Sequence, residues 1–135
     1  MAMVGGCYCG AVRYSADGDP TWRAQCHCRE CQYITGGGPN YFMMMPVAGF
    51  SYTRGAPQTF RRSDLESAVT RQFCGACGTH IATRIPGIDS LVLKVGTLDE
   101  PARFGTPEAA IYLVDRQPFH EVPAGLPTFE RLPPQ

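Results

Sequence analysis

The chain has no surplus of charge. Lys and Arg total 12 and Asp and Glu total 12, so the formal net charge is zero. Proteins that bind nucleic acid by neutralising phosphates carry a basic excess, and its lack argues against that class of partner. Long apolar runs are also lacking. Tyr41-Phe42-Met43-Met44-Met45 stops at Pro46, far short of the roughly 20 residues of a spanning helix, so no membrane partner is expected. Met1 to Gly6 shows no basic start and no apolar stretch of the secretory kind, which sets the expected location as the reducing cytoplasm. No nucleophile-elbow motif of hydrolases is present. Gly36-Gly37-Gly38 lacks the lysine and serine of a phosphate-binding loop and reads as a flexible loop, placed five residues after Cys31 at a possible pocket rim. Charged residues make up only 18%, yet 44% are hydrophobic, enough for a folded core.

Long uninterrupted segments are scarce too. Glycine (15) and proline (12) punctuate the 135 residues, and the longest stretch free of both runs from Gln58 to Cys74. Short strands and turns are therefore favoured over long helices. Strands are expected over 11–16, 20–25, 40–45, 50–53, 79–83, 91–95 and 110–114. A hairpin of 58–62 with 68–73 and a short helical turn over 29–35, ended by the glycines, complete the set. No domain boundary interrupts 1–135, and the proline-rich tail after Pro123 is expected to drape over the surface. Met43 to Met45 beside two aromatics read as core filling rather than soft-metal ligands.

What the chain does have is cysteine, seven in three tight clusters: Cys7-Tyr8-Cys9, Cys26-His27-Cys28-Arg29-Glu30-Cys31 and Cys74-Gly75-Ala76-Cys77. An odd count without an export signal argues against a disulfide framework. In an extended segment residues i and i+2 face one way, so Cys-x-Cys can aim two sulfurs at one ion. Cys-x-x-Cys does the same from a tight knuckle, and Cys9-Gly10 and Cys77-Gly78 supply the glycine such curls need. Soft sulfur favours zinc over magnesium, calcium or manganese. A closed set of Cys7, Cys9, Cys74 and Cys77 would leave Cys26, Cys28 and Cys31 as a group of three. An exchange in which Cys26 and Cys28 join Cys74 and Cys77 is also drawable.

These motifs, with Val95-Gly96-Thr97-Leu98-Asp99 and Gly125-Leu126-Pro127, resemble the glutathione-dependent formaldehyde-activating enzymes, a group that includes the domain of centromere protein V. The pieces span nearly the whole chain in family order. The resemblance implies a mainly β fold of three antiparallel sheets (a β-tent) with short helical turns. It implies two zinc ions, a structural one on Cys7, Cys9, Cys74 and Cys77 and a second, catalytic one on Cys26, Cys28 and Cys31. The activity it implies is that of a carbon–sulfur lyase acting on thiol–aldehyde adducts such as S-hydroxymethylglutathione, formed from glutathione and formaldehyde. Family members often carry a histidine before an apolar pair near the C-terminus, then a tryptophan after a proline. Here the stretches read Ala109-Ala110-Ile111-Tyr112-Leu113 and Gln117-Pro118-Phe119. If those positions line the pocket, the substrate differs from the namesake.

Three thiolates and one zinc carry a net charge of −1, a set suited to a soft thiol rather than to making hydroxide. Glutathione is anionic, and Arg23 and Arg29, which flank the three-cysteine cluster, are the expected contacts for its carboxylates. His27 between two ligands is expected to pack or hydrogen-bond rather than ligate. His80 is expected to be a neighbour of the knuckle and His120 to be exposed. Arg54, Arg61 and Arg62 read as a solvated basic face. The competing class is a non-enzymatic zinc-bound protein-interaction module, distinguished by a fourth protein ligand, such as His80, at the three-cysteine site.

Overall fold

The computed structural model describes residues 2–134. Met1 and Gln135, the ends of the unit expected over 1–135, lie outside the described residues. Ten strands run in chain order: β1 (Met3–Gly6), β2 (Arg13–Ala16), β3 (Trp22–Cys26), β4 (Asn40–Pro46), β5 (Phe50–Arg54), β6 (Gln58–Arg61), β7 (Thr70–Phe73), β8 (His80–Arg84), β9 (Ser90–Lys94) and β10 (Ala109–Ile111). Among the described residues one α-helix, α1 (Arg29–Thr35), follows β3, and the other helical segments are 3-10 turns of three or four residues, in line with the short helical turns expected. Helix α1 ends where Gly36 turns left-handed, at φ 86°, a conformation that glycine adopts without strain.

The strands form two sheets, not the three expected. The smaller has the order β1-β2-β5 and the larger the order β10-β3-β4-β9-β8-β7-β6. The difference lies in β4. Its register with β3 on one side (Phe42 opposite Ala24) and with β9 on the other (Phe42 opposite Lys94) is unbroken, so strands that would otherwise be two sheets share one ladder. Nor is every pair antiparallel, because β10 lies parallel to β3.

Alternation along β4 and β9 divides the large sheet into two faces. Met43, Met45, Leu91 and Leu93 are fully buried against Tyr14, Ile81 and Phe50, in the core between the sheets. Phe42, Met44, Val92 and Lys94 point the other way, to the face that carries the site. The methionines are thus core filling, as expected, with Met44 the exception. Close approach of the small sheet explains β1, which has no counterpart among the expected strands. A Cβ on Gly5 would stand 2.2 Å from the Thr97 carbonyl oxygen, so only glycine fits there, and its lack of a side chain hides the alternation of Met3 and Gly5.

The C-terminal tail does more than drape. Ala110 N–H donates to Pro127 O (2.9 Å), Phe129 N–H to Ala110 O (3.0 Å) and Tyr112 N–H to Arg131 O (3.2 Å). The free edge of β10 is covered in this way, which is how exposed sheet edges are commonly protected.

Candidate functional site

The first cysteine cluster joins the two sheets. Cys7 and Cys9 leave the end of β1, and Cys74 and Cys77 form the turn between β7 and β8. Gly10 (φ 81°) and Gly78 (φ 80°) sit left-handed after the ligand pairs, the curl their positions called for. The Cys7–Cys9 and Cys9–Cys74 sulfurs are 3.7 and 3.8 Å apart. Four sulfurs placed tetrahedrally ~2.3 Å from a zinc ion stand ~3.8 Å apart, so the spacing fits the ion. Backbone N–H groups point at the sulfurs as thiolates require: Val12 N to Cys7 Sγ (3.3 Å) and Ala76 N to Cys74 Sγ (3.4 Å). The Thr79 hydroxyl lies 3.2 Å from Cys77 Sγ and holds that thiol down to about 5.

The second cluster is local. Cys26 ends β3, Cys28 caps α1 and accepts a hydrogen bond from Cys31 N (3.3 Å), and Cys31 lies in the helix's first turn. Their sulfurs lie within 4.8 Å of one another, and no fourth His, Cys, Asp or Glu joins them among the described residues. The partition is therefore four and three, with Cys26 and Cys28 apart from Cys74 and Cys77. Contacts with Cys26 and Cys31 push the Cys28 thiol down, while contacts with Cys28 and Cys31, and then burial, push Cys26 up. Close packing of three sulfurs sets their negative charges against one another. Ionising all three requires a cation among them, so the donor set fits a metal ion of the soft, zinc-like kind.

A hydrogen-bonded frame fixes this cluster. The buried Gln32 amide donates to His27 O and Asp115 O, both at 2.9 Å. His27 is fully buried and does not ligate. Its Nδ1 is 3.0 Å from His120 Nδ1, its Nε2 is 3.0 Å from Gln25 Nε2, and His120 Nε2 is 2.7 Å from Gly37 O. Only one proton arrangement satisfies all three contacts with neutral rings. Gln25 donates to His27 Nε2, His27 Nδ1–H donates to His120 Nδ1, and His120 Nε2–H donates to the Gly37 carbonyl. Burial first, and His120 second, lower the His27 pKa to about 4, which keeps that ring neutral. His120, expected to be exposed, is only 3% accessible. The tail carries it inward, where it ties the glycine loop after α1 to the ligand segment before it.

Above the cluster lies a cavity of about 570 Å³. Its floor is one face of the large sheet, laid out in rows by the strand register. Cys26 and Asn40 form one row, Ala24, Phe42 and Lys94 the next, and Trp22, Met44, Val92, Thr83 and Arg71 the third. Ile111 and Tyr112, from the stretch where relatives often carry a histidine, line the wall, as do Leu132 and Pro133 of the tail. Phe119, by contrast, packs edge-on against the His120 ring and is not part of the lining.

The cations of this cavity are Arg71 and Lys94, not Arg23 and Arg29. Arg23 faces away, 4.0 Å from Glu108. Arg29 reaches Gln32 Oε1 and stacks 4.8 Å over the Tyr33 ring. The two-residue period already separates Arg23 from Cys26, three positions away on the same strand. Arg71 is held by Glu30 at 2.9 Å. Lys94 is 7% exposed, and its ammonium makes no hydrogen bond or ion pair among the described residues. Burial lowers its pKa, and the nearby Cys31 works in the opposite direction. Arg61 and Arg62 are less free than a solvated basic face implies, since Arg62 forks onto Asp64 and Arg61 donates to the Glu66 and Ala68 carbonyls. His80 stacks on Phe73 with ring centroids 5.6 Å apart.

A mainly β scaffold with one group of four and one of three cysteines, the latter walling a cavity, defines a thiol-rich class able to hold metal ions. Within it, the chain belongs to the family of glutathione-dependent formaldehyde-activating enzymes, whose sequence profile matches residues 2–115. Formaldehyde activation or related chemistry is the activity that membership indicates. The fold is also similar to a crystal structure of a Rhodobacter sphaeroides protein, with a TM-score of 0.62 at 18% identity, covering 78% of this chain and 97% of that one. No curated protein gives a significant match. Among the described residues no helix is long and apolar enough to cross a membrane.

Proposed function

We propose that the protein is a zinc-dependent carbon–sulfur lyase-like enzyme that makes or breaks adducts between a thiol and an aldehyde. The reaction is RSH + R′CHO ⇌ R′CH(OH)SR. A sulfur–carbon bond forms as the carbonyl π bond opens, and the thiol proton ends on the oxygen. Glutathione is the thiol and formaldehyde the aldehyde that the family name supplies. The observation carrying this reading is that Cys26 and Cys31, two members of a group with no fourth His, Cys, Asp or Glu ligand among the described residues, form part of a cavity wall.

Zinc, when bound by Cys26, Cys28 and Cys31, supplies a soft Lewis-acidic position for a substrate sulfur. The chain's own residues do the rest. The β3–α1 junction holds the three sulfurs together, and the Gln32 and His27–His120 frame keeps that junction rigid. Lys94 places a positive charge beside the thiolates, where it offsets their excess and stabilises oxygen charge that develops on the aldehyde. The apolar walls exclude water, which strengthens that interaction. Holding thiol and carbonyl together is the main source of acceleration for a reaction that also runs unaided. Arg29, exposed at the start of α1, is proposed as a contact for a carboxylate of the thiol outside the cavity, whereas Arg23 already faces Glu108.

Exchange NMR on glutathione with formaldehyde, with and without the zinc-loaded protein, tests the reading. Faster interconversion is expected. No acceleration over the unaided exchange, for this or any other thiol–aldehyde pair, would leave the protein-interaction module as the better description.

A further inference from the structure

From the cavity we infer that the carbonyl compound handled at this site carries a sizeable apolar body, an aromatic ring or a branched or medium-length chain, in place of formaldehyde's single carbon. The inference rests on the proposed role of Cys26, Cys28 and Cys31 and specifies the substrate class. Size is the first argument. A volume of about 570 Å³ lies within the range of cavities that enclose drug-sized molecules, and neither a one-carbon aldehyde nor a thiol whose carboxylate end lies outside the cavity would fill its apolar lining. A large apolar space without an occupant forfeits packing along its whole lining.

The order of the lining is the second argument. Cys26 and Asn40 pair at one end of β3 and β4, and Trp22 and Met44 pair four residues away. At ~3.3 Å per residue the two rows are ~13 Å apart. Polarity falls along that distance. Nearest the sulfurs are the Asn40 amide and, one row on, the nearly buried Lys94 ammonium, which has no partner among the described residues. Farthest are Trp22, Met44 and Val92, with Ile88 at the side. Arg71 and Thr83 belong to the far row by register, but the Arg71 guanidinium turns toward α1, where it bonds Glu30, and it also lies 3.5 Å from the Thr83 hydroxyl. A ligand that satisfies this layout has an oxygen for Lys94 at the sulfur end and hydrocarbon for the remainder.

Trp22 is the only tryptophan of the chain, so its fluorescence reports directly on the far end of the cavity. The test titrates zinc-loaded protein with unreactive carbonyl mimics, the linear amides from acetamide to octanamide. Affinity is expected to tighten about fourfold per added methylene, with a Trp22 shift that grows along the series. Val92→Phe, which fills the far row, and Ile88→Glu, which sets a charge at the exposed side, should each weaken octanamide binding at least tenfold. Ile88 is 47% exposed, so the second variant retains the fold if the first does not. A flat affinity series, or octanamide binding that both variants leave intact, overturns the inference. So does a dimer, seen by light scattering, that shields Trp22 and ignores amides, because a second copy of the chain would then be the occupant. A kinetic arm separates this inference from the reading beneath it. Adduct formation with hexanal and glutathione should exceed that with formaldehyde at least tenfold in kcat/KM. Acceleration that prefers formaldehyde overturns the inference and leaves the catalytic reading standing. Amide binding with no acceleration of any pair overturns the catalytic reading and leaves the apolar ligand.

Discussion

Replacing Cys74 with serine tests the division of labour between the two cysteine groups. Cys74 is 1% exposed and stands 65 residues from Cys9, whose sulfur it approaches at 3.8 Å. A cross-link over a loop of that length restricts the unfolded chain by about 4 kcal/mol on the chain-entropy estimate, and structural zinc contributes on the order of 10 kcal/mol of folding free energy in small zinc modules. The whole chain's stability is on the order of 7–20 kcal/mol at typical per-residue values. Opening the four-cysteine site therefore removes a share comparable to the total. Cys28→Ser is the control. Its site closes loops of only a few residues, and serine caps a helix well, so the bond from Cys31 N persists and the cost should stay within about 1 kcal/mol. Far-UV circular dichroism with urea titration, alongside zinc content, is the assay. Cys74→Ser should lose its cooperative transition or more than half of its midpoint, while Cys28→Ser unfolds near the parent midpoint with one zinc fewer. Equal damage from both substitutions would refute the assignment of structural and catalytic roles.

A mild chelator should remove one zinc fast and the second slowly, with circular dichroism unchanged after the first phase, because only the three-cysteine group leaves a coordination position free. Once that site alone is stripped, iodoacetamide at neutral pH should label Cys28 before Cys26, since contacts from its neighbours hold Cys28 low and Cys26 high; peptide mass mapping reads the order. Gln32→Leu leaves the His27 and Asp115 carbonyls without their donor and should cost about 2–4 kcal/mol in urea unfolding, loosening the second zinc as well. Arg13 and Asp99 pair at 2.5 Å in a partly exposed position, and Arg13 lowers the Asp99 pKa. The contribution of this pair is present above the unfolded carboxyl value of about 4 and is lost as pH falls through the depressed folded value. Asp99→Asn should therefore give a small midpoint shift at pH 7 that vanishes in 1 M salt.

Much of the site could be read from spacing. Cys-x-Cys and Cys-x-x-Cys announce paired sulfurs whatever the fold around them, and Gly36 after Thr35 marks the end of α1 at the residue where it ends. The limits of β4 were legible because Pro39 precedes it and Pro46 is its last residue. What was hidden depends on contacts distant in sequence. His120 is buried only because the tail pairs with β10, and no local pattern around Pro118 and Phe119 reports that pairing. The merging of the strands into one large sheet turns on β4 having a partner on each side, which alternation alone does not show. Lys94 reads as the polar end of an apolar run until β9 is set beside β4. Arg23 is different, since the period of β3 places it on the face away from Cys26 without any structure.

The 65-residue gap between Cys9 and Cys74 also bears on how the chain is made. At translation speeds of about 5–20 residues per second, Cys9 emerges some 3–13 s before Cys74 exists. During that interval the nascent chain displays Cys7, Cys9, Cys26, Cys28 and Cys31 together, enough sulfur to trap a zinc ion in a non-native set. The native partition depends on β7 and β8 arriving to claim the first pair. On the proposed zinc assignment, zinc supply during synthesis bears on how much of the protein acquires its correct ligands.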